Sequence, residues 1–326
     1  MAIYSKEEAK QLLNKALSYS KAETCEVNIS GDNSGNIRYA RNSVSTAGYQ
    51  NNQNMVITSS FGKKVGTATL DEFTDDAIAR AVKTSEDLAK LAPENPEFME
   101  PLGPQTYAES NQYFEATAKI NPDFRAKVAA SSIEPARAKD VTAAGFLNDS
   151  DNFSAMANSK GLFAYNRSTN LDFTVTMRSN DETGSGWVTR DVNDVSKFDA
   201  AEASQIAIDK ALQSRNAKAI EPGKYTVILE PAASIELIQN MFGAFNARTA
   251  DEGRSFMAKE GGGTKLGEKI VDERVNIYSD PQNALVPGGT WNQGGLPVKK
   301  MDWLRGGVVK NLFYTRYWAE KKGVEP

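Results

Sequence analysis

The sequence predicts an α+β fold: an N-terminal mixed α/β unit with antiparallel strands, followed by a β-rich C-terminal domain. In the first 92 residues, short strand-like runs lie between two segments of helical periodicity, and the C-terminal part combines glycine pairs with further strand-like runs. Four prolines between 93 and 104 interrupt the pattern. We therefore expect an N-terminal unit at 1–92, a linker at 93–110, a central strand-rich unit at 111–220 that ends in an amphipathic helix, and an incomplete C-terminal domain at 221–326.

The N-terminal unit begins with a helix signal. Ser5 and Glu8 have the spacing of a capping box, and the apolar residues that follow recur on one helical face. A second helix is predicted over 71–91. Strands are predicted at 25–30, 37–41, 55–61 and 64–69, with turns at Gly31, Asn33 and Gly35 and a hairpin at Gly62.

The rest of the chain is predicted in the same way. Helices are expected at 121–132, 197–214 and 233–245. Strands are expected at 138–147, 152–158, 161–168, 171–178, 185–192, 271–278 and 307–314, and a buried strand at 225–229.

The chain contains no histidine, and this excludes most familiar hydrolase mechanisms. A Ser-His-Asp triad, a histidine general base and a histidine metal ligand all need that side chain. Cys25 is the only cysteine, so no intrachain disulfide can form, and a zinc site built from one cysteine and carboxylates would be atypical.

Net charge and hydropathy further limit which classes of protein the chain can belong to. The formal net charge is -4 and the pI about 5.3, so direct nucleic-acid binding is not expected. The start of the chain turns polar at once, so we expect no signal peptide. No apolar run approaches the ~20 residues that a membrane span needs.

Several motifs resemble functional sites, but a purely structural role is preferred for each. Gly261 to Lys265 lacks the residue order of a phosphate-binding loop, so a flexible loop is expected. The segment 148–152 alternates oxygen-bearing side chains, but a calcium loop would need glycine and glutamate where Phe153 and Ser159 stand, so a turn between strands is expected.

Carboxylates, the cysteine and one tryptophan complete the candidates. Cys25 has no histidine to activate it, and we expect a small buried thiol. Trp291 lies beside glycines and could line a groove for extended peptide, with core packing as the default interpretation. Five carboxylates could form pairs for general acid/base catalysis, but we expect solvated surface positions for them. They are Asp251, Glu252, Glu268, Asp272 and Glu273.

Four segments together resemble the TldD/PmbA family, whose members were once called modulators of DNA gyrase. They are Ile-Arg-Tyr-Ala-Arg-Asn at 37–42, Gly-Thr-Ala at 66–68, Ala-Asn-Ser-Lys-Gly-Leu at 157–162 and Pro-Gly-Lys-Tyr-Thr-Val-Ile-Leu-Glu-Pro at 222–231. Their order and spacing extend the resemblance over nearly the whole chain.

The resemblance also locates a degenerate motif. The TldD-type member carries a His-Glu-x-x-x-His helix after the strand at 225–229, with two zinc-binding histidines and a glutamate general base. Here those positions hold Gln239, Asn240 and Ala244, and a further cysteine ligand near the family's C terminus has no counterpart in these 326 residues. This matches the PmbA/TldE branch, so no catalytic, cofactor-binding or metal-binding residue is expected.

For function, the resemblance implies a cytoplasmic PmbA/TldE-like subunit of a zinc metallopeptidase that acts on unfolded peptides. The zinc is expected in a TldD-like partner, with a heterodimer or a homodimer as the assembly. Two alternatives stay open. The chain could be a homodimeric metallopeptidase with an unconventional carboxylate-bound metal, or a non-enzymatic regulatory or binding protein of the gyrase-modulator type.

Overall fold

The computed structural model describes residues 3–326. The predicted capping box is confirmed: the Glu8 amide donates to Ser5 Oγ at 3.2 Å, and the Ser5 amide donates to the Glu8 carboxylate at 2.8 Å. The first part of the chain contains α1 (Lys6–Tyr19), β1 (Thr24–Ala40), β2 (Ser43–Phe61), β3 (Lys64–Leu70) and α2 (Asp75–Leu91). The central part contains α3 (Glu115–Ala118), α4 (Pro122–Ala138), β4 (Val141–Asn158), β5 (Phe163–Ser179), β6 (Ser185–Val192) and α5 (Ala200–Gln213).

Strands β1 to β6 form one antiparallel sheet in the order β3-β2-β1-β4-β5-β6. The predicted α+β class is therefore confirmed. Because β1 pairs with β4, the first and the central parts of the chain share this sheet. The predicted domain boundaries at 92 and 111 are not tested by this pairing and stay a prediction.

Long helices cover one face of the sheet in two groups. Helices α1 and α2 pack with Val27 and Ile29 in one apolar cluster, and α4 and α5 pack with Ile37 and Leu147 in another. Residues of β1 at odd positions lie on this face, because side chains alternate along a strand. A polar band that includes Asp149 separates the two clusters.

The turns predicted around Gly31, Gly35 and 148–152 were wrong, because these residues lie inside the long strands β1 and β4. Their glycines provide space rather than turns: a Cβ on Gly31 would lie 2.6 Å from the Phe153 ring, and a Cβ on Gly35 would lie 1.8 Å from Arg125 Nη2. Polar residues remain in the strands because cross-strand and helix partners bind their side chains. By contrast, Gly62 at φ +55° confirms the predicted hairpin.

The C-terminal part has its own apolar cluster around Phe245, Leu304 and Trp318. The strands expected at 271–278 and 307–314 are shorter than predicted, and a strand at 301–305 was not expected. The part contains α6 (Pro231–Gly243), α7 (Ala247–Asp251), β7 (Ile277–Ser279), β8 (Met301–Arg305), β9 (Val308–Val309) and α8 (Arg316–Lys322), with the sheet order β7-β8-β9.

The buried strand predicted at 225–229 was wrong. Within residues 3–326 this apolar run pairs with no strand, and its side chains are exposed, up to 96% for Ile228. Apolar composition alone cannot create a strand, because the backbone groups need a neighbouring strand to bind. In the described part of the chain, no helix has both the length and the apolar character to cross a bilayer.

Candidate functional site

Helix α6 contains Gln239 and Asn240 and ends just before Ala244, the three residues predicted to occupy a degenerate zinc motif. Pro231 occupies its first turn after Glu230, whose carboxylate is bonded by Lys210 of α5. Gln239 and Asn240 are exposed, and none of the helical residues is buried. Ala244 is the C-cap residue, and its amide donates to the Met241 carbonyl at 2.9 Å.

The side chains at these positions do not fit a zinc ion. Zinc in proteins is bound by thiolate, imidazole or carboxylate, whereas Gln239 and Asn240 present neutral amides and Ala244 a methyl group. The Asn240 amide nitrogen donates to the Glu236 carbonyl one turn earlier, at 2.9 Å. Among residues 3–326, no cluster of three or more carboxylate, cysteine or histidine side chains could hold a metal ion.

Each candidate carboxylate forms an ion pair with a nearby cation. Arg248 and Arg254 bind Glu252, and their hydrogen bonds lower its pKa. The pKa of Asp272 is lowered by hydrogen bonds from the side chain and backbone of Arg274. The remaining pairs are Asp251 with Lys322, Glu268 with Lys259, and Glu273 with Lys269. A lowered pKa disfavours a general base at neutral pH.

A polar cleft lies on the face of the sheet opposite the long helices. It has a volume of about 280 Å³ and is covered by the loop 289–291. Asn54, Ser30, Ser154 and Asn166 are successive cross-strand partners on β2, β1, β4 and β5, so they form one row across its floor. Within the described chain, no hydrogen bond reaches the buried Oδ1 of Asn166.

Trp291 forms the covering wall of this cleft and is held on both sides. Its ring packs beside an apolar cluster that includes Met156 and Leu162. The ring of Tyr107 lies 5.9 Å from it, centroid to centroid, and the Tyr107 hydroxyl donates to the Gly295 carbonyl at 2.7 Å. The predicted linker at 93–110 therefore supplies an anchor for the tryptophan.

A glutamine just after that linker joins the sheet to the covering loop. The Asn166 Nδ2 atom donates to Gln112 Oε1 at 3.0 Å, and Gln112 Nε2 donates to the Pro287 carbonyl at 3.2 Å. The side chain of Gln112 thus fixes the distance between the floor of the cleft and the segment that leads to Trp291.

A second cavity of about 550 Å³ lies beside the first and shares Gly289 and Trp291 as walls. Its other walls are largely apolar, with Val286 and Val298 among them, and the one carboxylate among the described lining residues, Asp280, is paired with Lys300 at 2.9 Å. Trp291 therefore packs beside a core cluster, as the default interpretation predicted, and also lines a groove, whereas peptide binding in that groove stays a prediction. The polar row was not predicted from the sequence, because its four residues meet only through the register of four strands.

The glycine cluster and the cysteine have the structural roles expected of them. Gly261, Gly262 and Gly263 all have positive φ, and no neighbour lies within 4 Å of a Cβ built on them, so they form an open loop. Cys25 is 1% exposed, and burial raises the pKa of its thiol. The prediction of a small buried thiol is confirmed.

Family models match three consecutive parts of the chain. The PmbA/TldA metallopeptidase domain 1 matches residues 25–89, the central domain 101–215, and the C-terminal domain 222–326. An uncharacterized protein of Methanocaldococcus jannaschii is 30% identical over 128 residues. That segment is 39% of this chain and 29% of the relative, so the match spans less than a third of the relative's length.

Solved structures share the fold. TldE from Thermococcus kodakarensis has a TM-score of 0.80 at 18% identity, over 97% of this chain and 72% of the other. A candidate modulator of a DNA gyrase from Thermotoga maritima has a TM-score of 0.86 at 17% identity, over 98% and 73%. Another from Bacteroides thetaiotaomicron has a TM-score of 0.84 at 18% identity, over 99% and 76%.

Proposed function

We propose that this chain, which belongs to the PmbA/TldD metallopeptidase family, is a subunit without a metal site in a two-component zinc metallopeptidase. A TldD-like partner supplies the zinc and the chemistry, and this chain helps to admit unfolded peptide. The assembly is a heterodimer in the cytoplasm, where a single unpaired cysteine is compatible with reducing conditions.

The side chains on α6 carry this proposal. The resemblance to the family places Gln239, Asn240 and Ala244 where its catalytic branch has two zinc ligands and a general base, and amide and methyl side chains are unsuited to those roles. The cation pairs of Glu252 and Asp272 argue against a substitute site built from carboxylates.

The test measures zinc content and hydrolysis of fluorescein-labelled casein for this chain alone, for a TldD-like partner alone, and for the mixture. We expect no bound zinc and no hydrolysis in this chain alone, and faster hydrolysis in the mixture than with the partner alone. Stoichiometric zinc together with hydrolysis in this chain alone would overturn the proposal and favour an unconventional metallopeptidase. If the hydrolysis rate and substrate range of the partner did not change when this chain was added, a separate regulatory protein would be favoured instead.

A chelation experiment assigns the metal to one subunit. Each protein is treated separately with a chelator, dialysed, and then mixed with its untreated counterpart. Treatment of this chain should leave the activity of the mixture unchanged, whereas treatment of the partner should abolish it until zinc is added. The treated partner with untreated chain is the matched control, because only the identity of the treated subunit differs.

A further inference from the structure

The cleft under Trp291 is polar but uncharged, and this limits what it can bind. Amide and hydroxyl groups line its floor, and none of the described residues that line it is charged. A phosphate, a carboxylate or a cation would enter without a countercharge, at a high desolvation cost. The complementary ligand is therefore neutral and has several hydrogen-bonding groups.

The row across the floor points to amide groups in that ligand. The side chains of Asn54 and Asn166 each carry a donor and an acceptor, as a peptide group does. Ser30 and Ser154 between them can donate or accept. The Asn166 side chain is held in the row by Gln112, which accepts from its Nδ2 atom at 3.0 Å, and its Oδ1 atom is buried within the protein.

The neighbouring cavity distinguishes a peptide from a saccharide. It shares Trp291 with the polar cleft, and Val286 and Val298 give it apolar walls. A peptide alternates a polar backbone with side chains that can be apolar, so it can use both environments. A saccharide has hydroxyl groups along its whole length and gains little from valine walls. Together the two volumes are within the ~300–1,000 Å³ of typical ligand sites.

We propose that the cleft and the neighbouring cavity form a binding site for an extended, uncharged peptide segment, whose backbone lies on the asparagine and serine row while an apolar side chain passes Trp291. The peptide class rests on the proposed function, because it makes this site the place where the subunit holds substrate. The location rests on the geometry of the cleft alone.

Isothermal titration calorimetry of the isolated full chain tests the site. The probe is the end-capped peptide acetyl-Gly-Val-Ser-Leu-Gly-Ser-amide, with maltohexaose as a second titrant. We expect saturable binding of the peptide and none of the saccharide. In Trp291→Leu and in Asn54→Val, the Kd should rise about tenfold or more, equal to ~1.4 kcal/mol.

Matched controls repeat the same chemical changes elsewhere. Trp187→Leu alters an exposed tryptophan on β6, and Asn36→Val alters an asparagine three rows from the cleft on the same face of β1. Both should leave the Kd within about twofold. Asn54→Val also guards against a misfolded tryptophan variant, because Asn54 is only partly buried.

Absence of peptide binding up to about 1 mM, or an unchanged Kd in both cleft variants, would overturn the site. Saccharide binding that the cleft variants weaken would overturn the peptide class. The titration contains neither partner nor zinc, so its failure would leave the proposed function standing. Failure of the chelation experiment would in turn leave the binding site standing.

Discussion

Replacement of Arg125 by methionine should destabilise the protein more than any single change at its exposed ion pairs. Arg125 extends from α4 over Gly35 and donates through Nε and Nη2 to the two carboxylate oxygens of Asp149, at 2.6 and 2.8 Å. Both side chains are less than a tenth exposed. Burial raises the pKa of Asp149, and Arg125 opposes that rise. Methionine would leave the carboxylate buried without its cation.

The expected cost follows from that burial. Removing one partner of a buried ion pair costs ~3–5 kcal/mol, because the other charge stays uncompensated. For a folding unit of this size that corresponds to a fall in Tm of roughly 10 °C. The double variant Arg125→Met with Asp149→Leu removes both charges, so its stability should return to within about 1 kcal/mol of the unsubstituted protein.

The assay is thermal and urea unfolding of the full chain, followed by circular dichroism and arranged as a double-mutant cycle. Lys15→Met is the control, because the Lys15–Asp75 pair is exposed and should contribute no more than ~1 kcal/mol. A loss in Arg125→Met as small as in Lys15→Met would refute the argument. So would a double variant as unstable as the single one.

Two further predictions concern the same sheet. Burial raises the pKa of Tyr39 from 10.0 to about 12, so between these pH values the unfolded chain loses the phenol proton while the folded chain keeps it. The free energy of unfolding should therefore fall by ~2 kcal/mol as pH rises from 10 to 12, and urea titrations should show a smaller fall in Tyr39→Phe. A Cβ on Gly66 would lie 2.2 Å from backbone atoms of α2, so Gly66→Ala should lower the Tm by several degrees in a thermal melt, whereas Gly103→Ala, with no neighbour within 4 Å, should leave it unchanged.

Local sequence patterns predicted the helices better than the strands. Ser5 and Glu8 define the start of α1 by themselves, because a capping box needs only nearby residues. The interior of β1 could not be predicted in this way. Its glycines at 31 and 35 indicate turns locally, and only β2 on one side, β4 on the other and the guanidinium of Arg125 above make a strand the stable conformation.

Some residues of the candidate site could likewise be predicted from local sequence, and others could not. Residues Gln239, Asn240 and Ala244 could be located from the order of motifs along the chain, since the helix is a local element. The polar row could not, because Asn54 and Asn166 are separated by more than a hundred residues and meet only through the register of four strands. Trp291 was identifiable as an aromatic residue among glycines, but its two cavities depend on contacts with the sheet.

The failures of the strand prediction also bear on the proposed peptide site. From the cleft, the polar face continues in three further rows of mainly asparagine, serine and aspartate on the same four strands. Such residues are poor strand formers, on a scale that spans ~1 kcal/mol per position, so a sheet face that served stability alone would favour β-branched residues. Conflicts between local preference and fold are expected where a surface has a binding role. Only the first of these rows borders the cleft, so Asn36 in the third row is expected to lie outside the binding site. The titrations of Asn54→Val and Asn36→Val test this limit, and equal weakening at both positions would mean that the whole face, rather than the cleft, binds the peptide.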